Sequence, residues 1–328
     1  MKKYTALVLE NFGETFSSSY QEMEMKELSH GEVRIRIEYS SINYKDRLAI
    51  NPSSRVVRSY PMIPGIDFAG RIVQSESQEF MEGDVVFVTG FGFGTDMPGG
   101  FREYIEVHER YLSKVPSGMT TREAMVYGTA GFTAALSVDA LQEGGVKPGD
   151  GSILVTGGSG GVASQGILIL KKLGYDVTVA TRSLNNSDYL LSLGADELIL
   201  FESLLEPRKA LSKEKWAGVI DATGGEALGN ILKEVRYGGV VALSGNLSGI
   251  EFSSTVFPFI LRGISLKGID SVNVALLKKS EIFEKLASDW KSDRLERTIT
   301  REVPFLNLNG VLENDPVGRG RDLVTYMP

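Results

Sequence analysis

The chain has 328 residues, a formal net charge of −7, no cysteine and only two histidines, His30 and His108. The length suits two domains of ordinary size, and the acidity argues against a nucleic-acid partner, which would need clustered Lys and Arg. Without cysteine there is no disulfide framework and no thiolate-ligated zinc or iron–sulfur centre.

In chain order, Met1-Lys2-Lys3 is followed only by the apolar run Ala6–Leu9 before Glu10 and Asn11, too brief for a signal-peptide core. No unbroken apolar stretch approaches the roughly 18–20 residues of a membrane span, so a cytoplasmic protein is expected. Val33, Ile35 and Ile37 alternate with charged residues, the period of a half-buried strand. Ile72–Val73 and Val85–Val88 predict further strands, separated by turns at Pro64-Gly65, Gly83-Asp84 and Gly99-Gly100. This first third reads as a small barrel or sandwich.

Arg122–Leu136 reads as a helix lined with small residues. From Gly151 onward strand, turn and helix repeat: strands at Ile153–Thr156, Val177–Ala180, Leu198–Leu200, Val219–Asp221 and Val240–Leu243, and helices at Val162–Leu173 and Asp188–Leu193. That alternation predicts an α/β fold with a doubly wound parallel sheet of the Rossmann kind. An amphipathic helix over Ala275–Trp290 follows. The tail around Val303–Phe305 is too small to fold alone and is expected to return to the first domain.

The most informative local motif is Ile153-Leu154-Val155-Thr156-Gly157-Gly158-Ser159-Gly160-Gly161-Val162-Ala163. Gly158, Gly160 and Ala163 meet the G-x-G-x-x-G/A spacing between a strand and a helix. Glycine permits the tight turn and close approach to a pyrophosphate, and the helix N-terminus offers free N–H groups. Gly158, Ser159, Gly160, Gly161 and Val162 are therefore candidate phosphate contacts of a dinucleotide. A glycine turn that binds nothing is the competing reading, disfavoured by the βαβ context. The second strand ends Ala180-Thr181-Arg182-Ser183, where NAD sites usually carry an acid; Asp176 stands at the wrong end. Thr181, Arg182 and Ser183 suit a 2′-phosphate, which favours NADP, unless Arg182 is only a solvated surface charge. Thr223 in Asp221-Ala222-Thr223-Gly224-Gly225, and Ser244 and Gly245 in Leu243-Ser244-Gly245-Asn246, end later strands where such ligands bind. Asp221 itself suits a capping role.

Several segments resemble the zinc-independent quinone oxidoreductase branch of the medium-chain dehydrogenase/reductases, in particular its bacterial quinone oxidoreductase and acryloyl-CoA reductase subgroup. They are Ser41-Ile42-Asn43-Tyr44-Lys45-Asp46, Pro64-Gly65-Ile66-Asp67-Phe68-Ala69-Gly70 and Gly99-Gly100-Phe101-Arg102-Glu103-Tyr104. Glu123-Ala124-Met125-Val126-Tyr127-Gly128-Thr129-Ala130-Gly131-Phe132-Thr133-Ala134-Ala135-Leu136 continues the series. Phe257-Pro258-Phe259-Ile260-Leu261-Arg262-Gly263 and Gly268-Ile269-Asp270-Ser271 complete it. The resemblance implies a GroES-like catalytic domain over residues 1–122 and 291–328, a Rossmann NADP-binding domain over 123–290, and a homodimer joined through the Rossmann domains. It places Thr129 and Thr133 near the nicotinamide and Asn43 and Tyr44 at the substrate, the amide and phenol being hydrogen-bond donors. Gly318-Arg319 is matched to the family's closing Gly-Arg, with Gly320-Arg321 as the competing register. Lys45 and Asp46 are expected to pair.

Zinc-containing relatives carry a cysteine near Asn43 and Gly-His-Glu where Gly65-Ile66-Asp67 stands. Lacking those ligands, the chain is expected to need no metal, and its acceptor to be a conjugated one, a quinone or an α,β-unsaturated carbonyl such as acryloyl-CoA, which takes hydride at carbon. Arg55, Arg58 and Arg262 are candidate donors to a CoA nucleotide. Phe257, Phe259 and the pair Met23 and Met25 read as core. Two other readings compete. A short-chain dehydrogenase fails because no tyrosine has lysine four positions on. A non-catalytic NADPH-binding or structural protein stays open, with the retained Asn43 and Tyr44 against it.

Overall fold

The computed structural model describes residues 2–13, 15–314 and 318–326. The chain opens on a hairpin, β1 (Lys3–Asn11) and β2 (Phe16–Glu24); β3 (Glu32–Ile42) then enters the short helix α1 (Tyr44–Ala49). Strands β4 (Asp67–Ser75), β5 (Val85–Thr89), β6 (Tyr104–His108) and β7 (Ser113–Lys114) precede the long helix α2 (Thr121–Glu143). The alternating region holds β8 (Ile153–Val155), α3 (Gly161–Lys172), β9 (Val177–Thr181), α4 (Ser187–Leu193) and β10 (Glu197–Leu200). It continues through β11 (Trp216–Asp221), α5 (Gly225–Leu232), β12 (Val235–Leu243), α6 (Phe257–Arg262) and β13 (Ser265–Gly268). Helix α7 (Leu276–Ala287), β14 (Ile299–Pro304), α8 (Leu308–Asn314) and β15 (Arg321–Thr325) finish the chain.

Two compact units result, one of Met1–Thr129, Val272–Ala287 and Ile299–Pro328, the other of Ala130–Ser271 and Ser288–Thr298. In the first, the sheet runs β14-β15-β3-β4-β5-β7, with β6 also on β3. The tail does return, β15 pairing antiparallel with β3 (Asp322↔Ile42). Arg34 interrupts the expected alternation of β3: it is buried, its charge met by Glu106 at 3.0 Å. The hairpin β1–β2 escapes the sequence because β2, FSSSYQEME, carries no apolar alternation; its register comes from β1, with Leu7 opposite Tyr20. In the second unit six parallel strands run β10-β9-β8-β11-β12-β13. Leu154, Val219, Leu228, Ile231 and Val241 belong to its fully buried core.

The boundaries differ from the expected ones at α7 and its neighbours. The predicted helix over Ala275–Trp290 was placed with the Rossmann domain, yet α7 belongs to the first unit. The reason is its inward face: Phe283 packs on Phe87 with ring centres 4.1 Å apart, and Leu286 carbonyl accepts from the Tyr127 hydroxyl at 3.3 Å. Residues 288–298 belong instead to the second unit, where Gln165 of α3 donates to the Thr298 hydroxyl at 3.2 Å. Phe257 is no core residue; it is 46% exposed. Of the described helices only α2 is long and apolar enough to cross a membrane, and 89% of its apolar window is buried inside the fold.

Candidate functional site

In the first unit, a polar cluster forms where the ends of β3, β4 and β15 meet the break in α2. Asn43 follows β3 in extended conformation (φ −114°, ψ 168°) and begins α1. Asp46, one turn on, reaches back to accept from the Asn43 N–H at 2.8 Å and from the N–H groups of Gly65 and Ile66 at 3.1 and 3.0 Å. It thus fastens α1 to the Pro64–Ile66 turn, and burial raises its carboxyl to about 7 despite those donors. The expected Lys45–Asp46 pair is not formed: Lys45 is exposed and Asp46 fully buried among backbone donors.

Asp67, at the start of β4, is the hub. Its carboxylate accepts from Asn43 Nδ2 (2.7 Å), Ser41 Oγ (2.9 Å), Thr129 N (2.7 Å) and Thr129 Oγ1. Arg321 faces it from β15 at 3.9 Å, donating through Nη1 to Asn43 Oδ1 (3.0 Å) and through Nε to the Val126 carbonyl (3.1 Å). Burial lowers the proton affinity of this guanidinium, while Asp67, Asp322 and Asp46 support its charge. Glycine is required at position 128. There α2 breaks (φ 50°, ψ −155°), and a Cβ would lie 2.6–2.7 Å from Asp67 Oδ2, Arg321 Nη2 and Ser41 Oγ. The two registers of the closing Gly-Arg differ in burial. Arg319 is exposed, whereas Arg321, first residue of β15, is the one turned inward.

The Asn43 carboxamide is thus oriented from both sides, oxygen on Arg321 and one N–H on Asp67. Its nitrogen has otherwise only long approaches to Ser41, 3.4 Å to the carbonyl and 3.5 Å to the hydroxyl. Tyr44 is half exposed at the first turn of α1. Asn43 and Thr129 are brought together through Asp67. Sequence reasoning missed Asp67, Arg321 and Gly128 as one cluster; its signal was a carboxylate, a guanidinium and a mid-helix glycine in separate segments.

In the second unit the other candidates gather at the carboxyl ends of the strands. Gly157 and Gly158 take φ of 87° and 52°, and Gly160 begins α3. A Cβ at Gly158 would lie 3.3 Å from Thr181 Oγ1, so the turn hugs the end of β9. Ser159 Oγ accepts from Asn186 Nδ2 at 3.3 Å, and exposed Arg182 reaches Ser248 Oγ at 3.4 Å, its guanidinium 5.6 Å from the Phe201 ring centre. Ser183 Oγ accepts from the Asn185 N–H at 3.2 Å. Asn186 and Ser248 went unnoticed in the sequence because nothing local marks them. Asp221 does cap: it accepts from Thr223 N (3.1 Å) and Oγ1 (2.7 Å), Gly224 N (2.9 Å) and Thr156 Oγ1. Thr223 therefore has its hydroxyl proton committed. Ser244 Oγ donates to the Asp221 carbonyl at 3.3 Å, and a Cβ on Gly245 would lie 2.2 Å from the Ala222 carbonyl. Thr133 is buried, with Oγ1 on Ser271 Oγ at 2.9 Å. Of the arginines considered for a nucleotide, Arg262 is engaged by Glu214 (3.2 Å) and by the carbonyls of Lys233, Val235 and Ser212. Arg55 and Arg58 are exposed, Arg58 lying 3.6 Å from Asp96.

The sequence profile of the Alcohol dehydrogenase GroES-like domain matches residues 29–117, and that of the Zinc-binding dehydrogenase domain residues 161–290. Bacillus subtilis YhfP, which carries the name of a quinone oxidoreductase, is 43% identical over 95% of this chain and 94% of its own length. The chain belongs to the quinone oxidoreductase group of the medium-chain dehydrogenase/reductase family. Within that group, the acrylyl-CoA reductase AcuI of Ruegeria pomeroyi is 41% identical over 94% of each chain. The crystal structure of the Salmonella enterica YhdH oxidoreductase in complex with NADP superposes with a TM-score of 0.92 (38% identity, 98% of this chain and 99% of that one). That of B. subtilis YhfP with NAD bound gives 0.96 (41% identity, 99% and 100%).

Zinc does not fit this member of the medium-chain family. Ile66 offers no donor atom, the Asn43 carboxamide is held between Asp67 and Arg321, and a guanidinium already lies against the carboxylate. Among the described residues no group of three His, Cys, Asp or Glu is placed to hold a metal ion.

Proposed function

We propose that the chain is an NADPH-dependent reductase that directs hydride to the β-carbon of a conjugated acceptor, a quinone or an α,β-unsaturated thioester or carbonyl, without a metal. The observation that carries this reading is the Asn43 carboxamide, fixed by Asp67 and Arg321 so that its nitrogen presents a donor. Bound NADPH supplies the hydride. As charge moves to the acceptor oxygen, the Asn43 N–H, preorganised by Asp67 and Arg321, would stabilise it where it develops, with the Tyr44 hydroxyl as a second donor. Half-exposed Tyr44 also links the site to solvent for the proton that completes the reduction.

The second unit fits the cofactor. Gly158, Ser159, Gly160, Gly161 and Val162 would hold the pyrophosphate at the start of α3. Thr181, Arg182 and Ser183, with Ser248 beside them, would hold the 2′-phosphate. Thr133, Ser244, Gly245 and the backbone at Thr223 would line the nicotinamide side, and Thr129 stays a candidate through the resemblance. The relatives support NADP: two solved YhdH structures contain NADP or NADPH, although YhfP was solved with NAD. Arg55 and Arg58 would serve a CoA phosphate, while Arg262 would not. We assign the homodimer contact to the free edge of β13 and the exposed apolar side chains Ile250, Val256, Phe257, Ile260 and Leu261 next to it in the chain.

The test is to follow oxidation of NADPH and NADH with quinones, acryloyl-CoA, simple enals and saturated ketones. The expected result is turnover of conjugated acceptors with NADPH preferred. Faster turnover of ketones overturns the reading, and NADPH binding without oxidation by any acceptor returns the chain to a binding role.

A further inference from the structure

Helix α7 turns Lys279, Ile282, Phe283 and Leu286 inward, the i, i+3, i+4, i+7 stripe of a buried helix face, and all four are fully buried. Three are apolar; the first is a lysine. Its Nζ donates to the Thr89 carbonyl and lies 3.9 Å from the centre of the Phe91 ring, a cation–π distance. Phe91 is held with φ 57°, a strained value for a side chain of that size, by its N–H donating to the Val272 carbonyl at 3.1 Å just before α7. Carbonyl and strained aromatic together form a box for one cation. The Thr89 carbonyl that Lys279 meets belongs to the residue directly opposite Asp67 in the β4–β5 pair, one strand spacing from the hub's backbone, and the field of Asp67 raises the proton affinity of Lys279.

This charge is costly. Burial draws the ammonium down to about 7 from 10.5, and a methionine would fill the stem's volume without that penalty. Of the other charges near α7, Lys114 on β7 is turned to Asp84 at 2.9 Å, and Lys278 and Lys285 pair with Glu281 on the outer face. Asp67, whose field also acts on Asp46 and Arg321, is a carboxylate whose field reaches Lys279. A buried charge kept against stability beside a site is the pattern of a functional group.

We propose that Lys279 is a positioning residue of the acceptor site: its ammonium, acting through Asp67, holds the Asn43 carboxamide and the Thr129 hydroxyl in the orientation that meets the acceptor. This deepens, and rests on, the reductase reading. Two opposing pH trends follow. With the folded value below the unfolded one, the folded chain binds fewer protons between about 7 and 10.5, so this group's share of stability rises with pH across that window. Activity falls over the same rise, because the ammonium is lost.

Lys279→Met and Lys279→Arg test it. In wild type, kcat/KM falls as pH passes about 7; the Arg variant keeps its charge and loses that fall. The Met variant is slower by roughly tenfold or more below that pH, while its melting temperature near pH 6 (about one unit below the transition) is equal or higher. A readout independent of turnover is the side-chain amide resonance of Asn43, which in wild type responds near 7 to both Asp46 and Lys279 and in the Arg variant keeps only the Asp46 response. A Met variant with wild-type kcat/KM, or an Asn43 resonance that titrates identically in wild type and the Arg variant, overturns the proposal. Should no acceptor be turned over, the reductase reading fails on its own and the Asn43 resonance still decides the role of Lys279.

Discussion

The glycine turn after β8 and the acidic cluster at the start of β4 are two ways of building a polar site, and they differ in what holds them. The turn is local: Gly157, Gly158 and Gly160 lie within four residues at the start of α3, and the Gly160 N–H closes the turn on the Gly157 carbonyl at 3.0 Å. The cluster is assembled from Ser41, Asn43, Asp67, Gly128, Thr129 and Arg321, brought together by sheet pairing and a helix break. The first should tolerate change at a cost to ligand binding. The second should fail as a unit, because Asp67 and Arg321 are buried together and each leans on the other's charge.

Removing the guanidinium presses that contrast hardest. Arg321→Met leaves Asp67 without the facing charge and Asn43 Oδ1 without its donor, and thermal or urea unfolding should show a loss of about 3–5 kcal/mol. Arg319→Met, exposed two residues earlier, should change little; equal losses would restore the other register. Next comes Gly128→Ala. Its Cβ would meet three polar atoms at 2.6–2.7 Å, and a loss of about 1–3 kcal/mol from overpacking is expected in the same unfolding assay, with activity falling alongside.

On the turn side the effects should appear in binding and spare stability. Arg182→Ala should raise the KM for NADPH by roughly ten- to a hundredfold, the worth of about 1.5–3 kcal/mol for a charged hydrogen bond, and leave NADH unchanged. Equal loss for both cofactors would make Arg182 a surface charge. The smallest change is Gly158→Ala, whose φ of 52° disfavours a side chain by about 1–2 kcal/mol. NADPH affinity, read by titration calorimetry, should weaken by roughly tenfold as the turn relaxes from that φ, with a melting temperature lowered by only a few degrees. A large melting loss there would show that the turn too is held as a network.

The same contrast explains what was legible in the sequence. The strands β8, β9, β11 and β12, the helix α3 and the phosphate turn follow from periodicity and glycine spacing within a few dozen residues. Thr181 and Arg182 are read from the end of one strand. Arg321 was missed in favour of Arg319 because two Gly-Arg pairs stand in succession, and only the pairing of β15 with β3 decides which arginine turns inward. Asp46 was read as a partner of its neighbour Lys45, whereas its acceptors' work is done at Gly65 and Ile66, nineteen and twenty residues on. Lys279 hid in a helix whose period was recognised but whose inward face was not tallied, and that face also decided which unit α7 joined. Long-range pairing, with no local signature, set each of these.

The most direct test of the reductase reading is the fate of the hydride. The enzyme is supplied with NADPH deuterated at nicotinamide C4 and an α,β-unsaturated thioester, and the product is analysed by NMR. Deuterium on the β-carbon of a saturated thioester is the predicted result. Deuterium on the former carbonyl carbon, as in an aldehyde or alcohol product, would contradict it.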